Sequence, residues 1–212
     1  MQALSQRDDY AWMGSLYARI AEPGLGPFHK AIQKAVIDAG CRQVIDLCCG
    51  AGQLCRLLQE KGIKCIGVDR SRAMLSKAIR LSPPELVFVQ QDATATSFAS
   101  GSFDGVIISL ALHEMQQELR LLTLDEAARL LKPGGYLFLF DFEAPQSLIT
   151  RQAHLGISLI ERLAGKEHYL ASRDFLRRGA LRGLVSFWPG SAVWYQQPML
   201  GGALSLTVLQ RS

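Results

Sequence analysis

The organisation of this chain follows from one short segment, Val44-Ile-Asp-Leu-Cys-Cys-Gly-Ala-Gly52. A strand-like run opens the segment, a glycine-containing turn closes it, and a helical pattern with leucines at positions 54, 57 and 58 follows. Glycines permit a tight turn and let a ligand approach the backbone closely. The segment therefore predicts a strand, a turn and a helix whose amino-terminal end points at a ligand site.

Beyond this segment, strand-like apolar runs alternate with helical patterns, as they do in parallel βαβ units. The predicted strands of this alternation cover residues 43–47, 64–68, 86–89, 103–109 and 136–140. The predicted helices cover residues 71–80, 114–131 and 147–182. Residues 103–109 are almost all apolar, which indicates a strand that is buried on both faces.

Two further strands are predicted at residues 191–197 and 204–210. The connection between them, residues 198–202, is far too short for a helical crossover, so this pair is predicted to be antiparallel. Residues 10–39 have a helical pattern that we expect to break at residues 23–26, where proline and glycine occur. The predicted fold class is α/β, with a doubly wound, seven-stranded, mostly parallel sheet and an antiparallel last strand.

The composition argues against several classes of protein. Hydrophobic residues make up 49% of the chain and charged residues 20%, which indicates a folded protein with a sizeable core. The net charge of +4 comes from scattered residues, so we expect no nucleic-acid partner. The sequence has neither a run of about 18 apolar residues nor a signal-peptide pattern, so we expect no membrane span and a cytoplasmic location. The five cysteines include no CxxC pair, so we expect reduced thiols and no metal site.

Ligands of open α/β sheets bind at the carboxyl ends of the strands, and the first of these ends carries Asp46. A carboxylate there would repel the pyrophosphate of a dinucleotide and attract the ammonium group of an amino acid. Cys55 occupies the position where a dinucleotide fingerprint has its third glycine. Both observations favour a cationic, amino-acid-like ligand over a nicotinamide dinucleotide.

The next two strand ends also carry acidic residues. Asp69 can accept two hydrogen bonds from ribose hydroxyls, or it can simply mark the entry to the helix that Ser71 caps. Asp92, followed by Ala93, can contact the edge of an adenine, or it can be an ordinary turn residue.

Two candidates for acid–base chemistry follow the fourth and fifth strands. His113 opens a helix beside the predicted ligand site, where it can serve as a base, orient an acceptor molecule or cap the helix. Asp141 is the second candidate base, and it can equally be a capping residue or support another side chain. In the helix that follows His113, we expect the leucines at positions 119, 122, 130 and 131 to face the core.

Taken in order, these features resemble the class I methyltransferases that use S-adenosylmethionine, and most of all the small-molecule branch that includes the quinone-biosynthesis C-methyltransferases. The resemblance covers residues 44–142. Its motifs are residues 44–52, 67–69, 90–93, 102–107 and 130–137. It implies the Rossmann-like methyltransferase fold and S-adenosylmethionine as the cofactor.

The resemblance also assigns residues to the two halves of the cofactor. For the methionine half it implies a set of five residues, namely Asp46, Gly50, Gly52, Ser109 and Leu110. For the adenosine half it implies another five, namely Asp69 at the ribose and Arg70, Met74, Asp92 and Ala93 at the adenine.

Two more residues are assigned by the same resemblance. Tyr17 lies in the opening helix, where a tyrosine often covers the cofactor. Cys48 stands where the usual motif has its first glycine, and we expect it to adopt a backbone angle that suits residues other than glycine.

The implied activity is transfer of a methyl group to a small-molecule acceptor, with S-adenosylhomocysteine as the product. The acceptor, the methylated atom and the oligomeric state stay open, although weak homodimers are common among such proteins. A nucleotide-dependent oxidoreductase and a non-catalytic S-adenosylmethionine-binding protein stay open as alternatives. We expect one methyltransferase domain over residues 1–212. Its parts would be a helical cover at 1–40, a cofactor-binding core at 41–142, a helical substrate cover at 143–185 and a terminal strand pair at 186–212.

Overall fold

The computed structural model describes residues 10–188 and 192–212, and these residues form a seven-stranded sheet with flanking helices. The strands are β1 (Gln43–Leu47), β2 (Lys64–Asp69), β3 (Val87–Gln90), β4 (Phe103–Ser109), β5 (Leu131–Phe142), β6 (Ala192–Met199) and β7 (Leu204–Gln210). The helices are α1 (Tyr10–Asp38), α2 (Gln53–Gln59), α3 (Arg72–Leu81), α4 (Gln117–Leu130), α5 (Leu148–Ala164), α6 (Lys166–Arg177) and α7 (Ala180–Val185). Short 3₁₀ helices form at Leu112–Glu114 and Leu200–Gly202.

The strand order is β3-β2-β1-β4-β5-β7-β6, which confirms the predicted fold class. β1 to β5 are parallel, whereas β7 is antiparallel to both of its neighbours, β5 and β6. The order reverses between β1 and β4, so a crevice opens there at the carboxyl ends of the strands. The predicted strand at residues 191–197 begins at Ala192 in the described residues, and Ser191 lies outside them.

The middle of the sheet forms the core of the molecule. β4 and β5 contribute side chains that are almost completely buried, including those of Val106, Ile107, Leu137 and Phe138. These apolar residues alternate between the two faces of the sheet, as expected for strands covered by helices on both sides. The prediction that residues 103–109 are buried on both faces is confirmed.

Two expectations about helices are wrong. Residues 23–26 do not break the first helix, which is continuous from Tyr10 to Asp38. The proline ring fixes a φ that is itself helical, so the proline removes one hydrogen bond without ending the helix. In α4, Leu119 and Leu122 are 38% and 49% exposed instead of buried. The inward face of that helix includes Arg120, Thr123, Leu124, Ala127 and Leu130, and Leu119 and Leu122 lie outside it. The other two predicted core leucines, Leu130 and Leu131, are fully buried.

None of the helices formed by residues 10–188 and 192–212 is both long and apolar enough to cross a membrane. All five cysteines are free thiols, and three of them, Cys41, Cys55 and Cys65, are buried.

Candidate functional site

A cavity of about 230 Å³ opens at the carboxyl ends of β1, β2 and β4. Its walls contain ten of the residues predicted for cofactor binding, namely Asp46, Cys48, Gly50, Asp69, Arg70, Met74, Asp92, Ala93, Ser109 and Leu110. The register of the sheet explains this convergence, because the ends of β1 and β4 lie side by side where the strand order reverses.

Asp46 places a buried carboxyl group on the wall of this cavity. The residue is 1% exposed, and its Oδ1 atom has no hydrogen-bond partner among the described residues. Its Oδ2 atom accepts a weak hydrogen bond from the Cys55 thiol at 3.6 Å. Burial, followed by the proximity of Cys55, raises the pKa of Asp46 well above its usual value. A buried oxygen without a partner favours a ligand that brings a hydrogen-bond donor, and a cationic donor most of all.

Asp69 shapes the turn that follows β1 as well as facing the cavity. Its Oδ2 atom accepts a hydrogen bond from the Gly50 backbone N–H at 2.8 Å, and its Oδ1 atom accepts one from the Ser71 N–H at 2.8 Å. Burial raises the pKa of Asp69, although these two hydrogen bonds act in the opposite direction. A carboxylate oxygen can accept more than one hydrogen bond, so both oxygens can still accept from a ligand.

Gly52 does not line the cavity, and the reason for a glycine at this position is packing. It caps α2 with a φ of 72°, and a Cβ atom there would lie 2.6 Å from the ring of Phe88. Cys48 corrects one expectation, because its φ is 67°, in the left-handed region that glycine adopts at low cost. The chain therefore has a strained cysteine where the usual motif has glycine.

The predicted adenine side consists of the start of α3 and the loop after β3. Ser71 caps α3 as predicted, accepting a hydrogen bond from the Met74 N–H at 3.3 Å. Asp92 accepts hydrogen bonds from both the N–H and the hydroxyl group of Thr94, at 2.9 and 2.8 Å. Asp92 therefore acts as a turn residue while it lines the cavity, so the two interpretations of this residue are compatible.

α1 lies over the cavity. Leu25 and His29, from the second half of this helix, belong to the cavity wall. Tyr17 is in the first half of α1, and its side chain lies outside the described part of the structure. Its contact with a cofactor stays a prediction.

His113 and Asp141 form a buried pair that does not line the cavity. The Nδ1 atom of His113 lies 2.6 Å from Oδ1 of Asp141, and the imidazole stacks on Phe142 with 4.1 Å between the ring centroids. Asp141 also accepts hydrogen bonds from the backbone N–H groups of Leu112, His113 and Phe142. Burial lowers the pKa of His113, but Asp141 and two further carboxylates raise it, to about 9 overall. The direct catalytic roles of these two residues stay predictions.

Glu114 is an acidic residue on the cavity wall that sequence reasoning did not select as a candidate. Its Oε1 atom lies 3.8 Å from Nε2 of His113 and 3.8 Å from Nδ1 of His168 on α6. Glu161 on α5 approaches the same Nε2 atom of His113 to 3.7 Å. The sequence signal was present, because Glu114 directly follows His113, but nothing in the sequence indicates which of the two faces the cavity.

Arg120 fixes the segment that carries these residues. Its guanidinium group donates hydrogen bonds to the carbonyl oxygen of Leu112 at 2.9 Å, to the carbonyl oxygen of Ala171 at 2.8 Å and to the Asp174 carboxylate at 2.8 Å. The guanidinium carbon also lies 4.9 Å from the centroid of the Phe175 ring. One fully buried arginine therefore ties the 3₁₀ helix Leu112–Glu114 to α6.

Within the described residues, no cluster of three or more His, Cys, Asp or Glu side chains is arranged to hold a metal ion. The chemistry that the cavity supports is binding of a ligand that brings hydrogen-bond donors to the carboxyl groups of Asp46 and Asp69.

Comparison with known proteins adds an independent observation. The family model described as a methyltransferase domain matches residues 44–135. An uncharacterised methyltransferase of Synechocystis sp. is 34% identical over 142 residues, which are 65% of this chain and 66% of that protein. A 2-phytyl-1,4-naphtoquinone methyltransferase of Thermosynechococcus vestitus is 31% identical over 191 residues, which are 79% of this chain and 80% of that protein. With other curated relatives the match is shorter, and a demethylmenaquinone methyltransferase of Beutenbergia cavernae is matched over 48% of its length.

A solved structure supports the fold. The structure of an O-methyltransferase family protein from Burkholderia thailandensis superposes with a TM-score of 0.71, covering 94% of this chain and 58% of that one. The sequence identity is 20%, so this likeness concerns the fold alone.

Proposed function

This chain belongs to the family of S-adenosylmethionine-dependent methyltransferases, and we propose that its cavity holds S-adenosylmethionine and a small-molecule methyl acceptor. One observation carries the assignment of the cavity: two carboxyl groups, the buried Asp46 and the half-buried Asp69, lie at the ends of adjacent parallel strands and face the same space. An ammonium group and a ribose diol are the two ligand groups that suit such a pair.

The methionine half of the cofactor would lie against β1 and β4. Asp46 supplies a carboxylate for the ammonium group, and its unpartnered oxygen is the atom that would accept the hydrogen bond. Gly50 and Ser109 belong to the same wall and leave room for the methionine backbone. Ion pairing with the ammonium would offset the desolvation that raises the pKa of Asp46.

The adenosine half would lie between the start of α3 and the loop after β3. Asp69 would accept hydrogen bonds from the ribose hydroxyl groups, while Met74 and Ala93 flank the space for the adenine. Because Asp69 also holds the Gly50 N–H, the ribose contact and the shape of the turn depend on the same carboxylate.

Bound S-adenosylmethionine supplies a methyl group that is already activated by the sulfonium charge. The acceptor's lone pair forms the bond to the methyl carbon, the carbon–sulfur bond breaks, and its electron pair stays on sulfur. The chain's own task is then to hold the acceptor in line with that bond and to exclude water. Leu25, Met115 and Leu119 contribute apolar side chains to the cavity wall, which suits an apolar or aromatic acceptor.

The first experiment is calorimetric titration of the protein with S-adenosylmethionine, S-adenosylhomocysteine and NADH. Micromolar binding of the first two without binding of NADH supports the proposal. Binding of NADH alone would favour a nucleotide-dependent oxidoreductase, and the position of the Asp46 carboxylate beside a pyrophosphate would then need another explanation.

The second experiment separates an enzyme from a binding protein. Methyl-labelled S-adenosylmethionine is incubated with a naphthoquinol, a catechol, a thiol and an amine. The quinol is chosen because two of the relatives are quinone methyltransferases by name. Label transfer to one acceptor class supports the proposal. Tight cofactor binding without transfer to any class would favour a non-catalytic S-adenosylmethionine-binding protein.

A further inference from the structure

The cavity has a proton-handling end that no cofactor role explains. Four ionisable side chains meet beside the 3₁₀ helix Leu112–Glu114, and they come from four different elements of the chain. They are Asp141 from β5, Glu161 from α5, His168 from α6 and His113 from the 3₁₀ helix itself. Glu114 connects this group to the cavity, because its carboxylate faces both histidines and also lines the wall.

His113 cannot itself reach a methyl acceptor in this arrangement. The ring is 1% exposed and does not line the cavity, and its Nδ1 atom is engaged by Asp141. Its pKa of about 9 keeps both ring nitrogens protonated near neutral pH, so the ring has no lone pair with which to accept a proton. The Nε2 atom has no hydrogen-bond partner in the described part of the chain and lies between the carboxylates of Glu114 and Glu161.

We propose, on the basis of the methyltransferase function above, that Glu114 accepts the proton of the methyl acceptor and that His113, fixed by Asp141, positions the Glu114 carboxylate for this step. The side chain of Glu114 is 21% exposed, so it contacts the cavity and can return its proton to solvent. Glu161 lies on the other side of the same imidazole nitrogen and is a second positioning residue.

The step balances in atoms and charge. The acceptor's proton moves from its hydroxyl, thiol or acidic carbon to a Glu114 oxygen while the acceptor's electron pair forms the bond to the methyl carbon. The carbon–sulfur bond breaks and leaves a neutral thioether, and the protonated Glu114 then releases its proton to water. No oxidant or second cofactor is needed.

The Glu114 carboxylate faces the imidazoles of His113 and His168, each at 3.8 Å, and Glu161 lies on the other side of the same His113 nitrogen at 3.7 Å. Burial raises the pKa of Glu161 to about 7, so this carboxyl group is partly neutral at physiological pH.

The test compares Glu114→Gln with a matched control, Glu118→Gln, which removes the same charge from an exposed position at the start of α4. We expect Glu114→Gln to bind S-adenosylhomocysteine within about twofold of the unmodified protein. In the labelled acceptor assay we expect kcat to fall by about 100-fold or more, with little change in KM. The acid limb of the kcat profile against pH should also disappear. Glu118→Gln should behave like the unmodified protein.

Two further variants keep the proposal open to refutation if Glu114→Gln folds poorly. Glu114→Asp keeps the negative charge but shortens the side chain by one methylene group. We expect its kcat to lie between those of the unmodified protein and Glu114→Gln, and its kcat to fall at acid pH as in the unmodified protein. Asp141→Asn should lower the pH at which His113 is half protonated. Nitrogen-15 NMR of the four histidines in the S-adenosylhomocysteine complex measures this midpoint. It should also shift the acid limb of the rate profile.

Each outcome has a distinct meaning. Unchanged transfer by Glu114→Gln, or loss of S-adenosylhomocysteine binding in that variant, would overturn the role of Glu114 while leaving the methyltransferase function intact. An unmoved His113 midpoint in Asp141→Asn would overturn the positioning role of the pair. A failure of the unmodified protein to transfer methyl to any acceptor would overturn the proposed function itself.

Discussion

The two ends of the cavity are built in different ways. At the cofactor end, Asp46 and Asp69 come from adjacent strands close in sequence, and Asp46 keeps one oxygen without a partner among the described residues. The other end is the one beside Glu114, His113 and Asp141, called the proton end below. There, Asp141 accepts four hydrogen bonds, one from the His113 ring and three from backbone N–H groups. A buried carboxyl oxygen without a hydrogen-bond partner indicates a site where a ligand supplies the donor. A carboxyl group whose oxygens all have partners within the protein indicates a structural role, such as holding a neighbouring side chain in place. Aspartate therefore has different roles on the cavity wall, where Asp46 awaits a ligand, and behind the wall, where Asp141 fixes His113.

The largest effect is expected at the cofactor end. Asp69→Ala removes a charged acceptor from the ribose site and two hydrogen bonds from the turn, and we expect S-adenosylmethionine binding to weaken by on the order of 2–4 kcal/mol. Calorimetric titration measures the loss. The control is Asp125→Ala, which removes an exposed carboxylate from α4. Unchanged affinity in a folded Asp69→Ala variant would refute the ribose assignment.

Arg120→Met should affect stability at the proton end. The variant leaves the carbonyl groups of Leu112 and Ala171 without their buried donor, so we expect the free energy of unfolding to fall by about 3 kcal/mol. Urea denaturation measures this change, and Arg177→Met, at an exposed position in α6, is the control. Cofactor affinity in the folded protein should stay the same. A parallel loss of affinity would show that the two ends are coupled.

Alkaline pH should destabilise the protein through His113. The pKa of His113 is raised in the folded state from 6.5 to about 9, so its stabilising contribution is complete below pH 6.5 and is lost as the pH rises through 9. The contribution is on the order of 3 kcal/mol. The measurement is the free energy of unfolding at several pH values for the unmodified protein and for His113→Gln, whose alkaline loss should be smaller by this amount. His154→Gln is the control, because the pKa of His154 is lowered and its removal should leave the alkaline loss in place.

The smallest expected effect is a pH dependence of cofactor binding that arises from Asp46. Its pKa in the empty protein is raised by burial and by Cys55, but an ammonium ligand pairs with the ionised form. Affinity should therefore rise with pH above the ordinary carboxylate range, by at most about tenfold per pH unit, until Asp46 has ionised. Titrations in two buffers with different ionisation enthalpies should detect proton release on binding. Asp46→Asn should bind more weakly and release no proton, and an unchanged proton count in that variant would exclude Asp46 as the source.

Sequence reasoning succeeded at the cofactor end because its signals are local. Each strand run and the acidic residue after it can be identified within a few residues, and the sheet brings the strand ends together by a general rule. Cys48 is the exception there, because the sequence shows a cysteine but not the left-handed φ that the turn imposes on it.

The proton end could be predicted only in part. His113 and Asp141 follow the fourth and fifth strands, so the strand-end rule identifies both as candidates. Glu161 and His168 belong to α5 and α6, and they join the group only through tertiary packing.

The inward face of α4 also differs in part from the prediction. Leucines at positions 119 and 122 are the expected inward residues by composition, but the buried residues are Arg120, Thr123, Leu124, Ala127 and Leu130. With this face inward, Leu119 reaches the cavity wall instead of the core.

The position of β7 inside the sheet has a consequence for synthesis of the protein. β7 pairs with both β5 and β6, yet α5, α6, α7 and β6 all precede it in the chain. Until β7 emerges from the ribosome, β5 has an open edge, and its run from Leu137 to Phe140 is apolar and destined for full burial. Exposed apolar edges of this kind recruit other strands. During that interval we expect β5 to be the part of the growing sheet that is most exposed to pairing with strands of other chains.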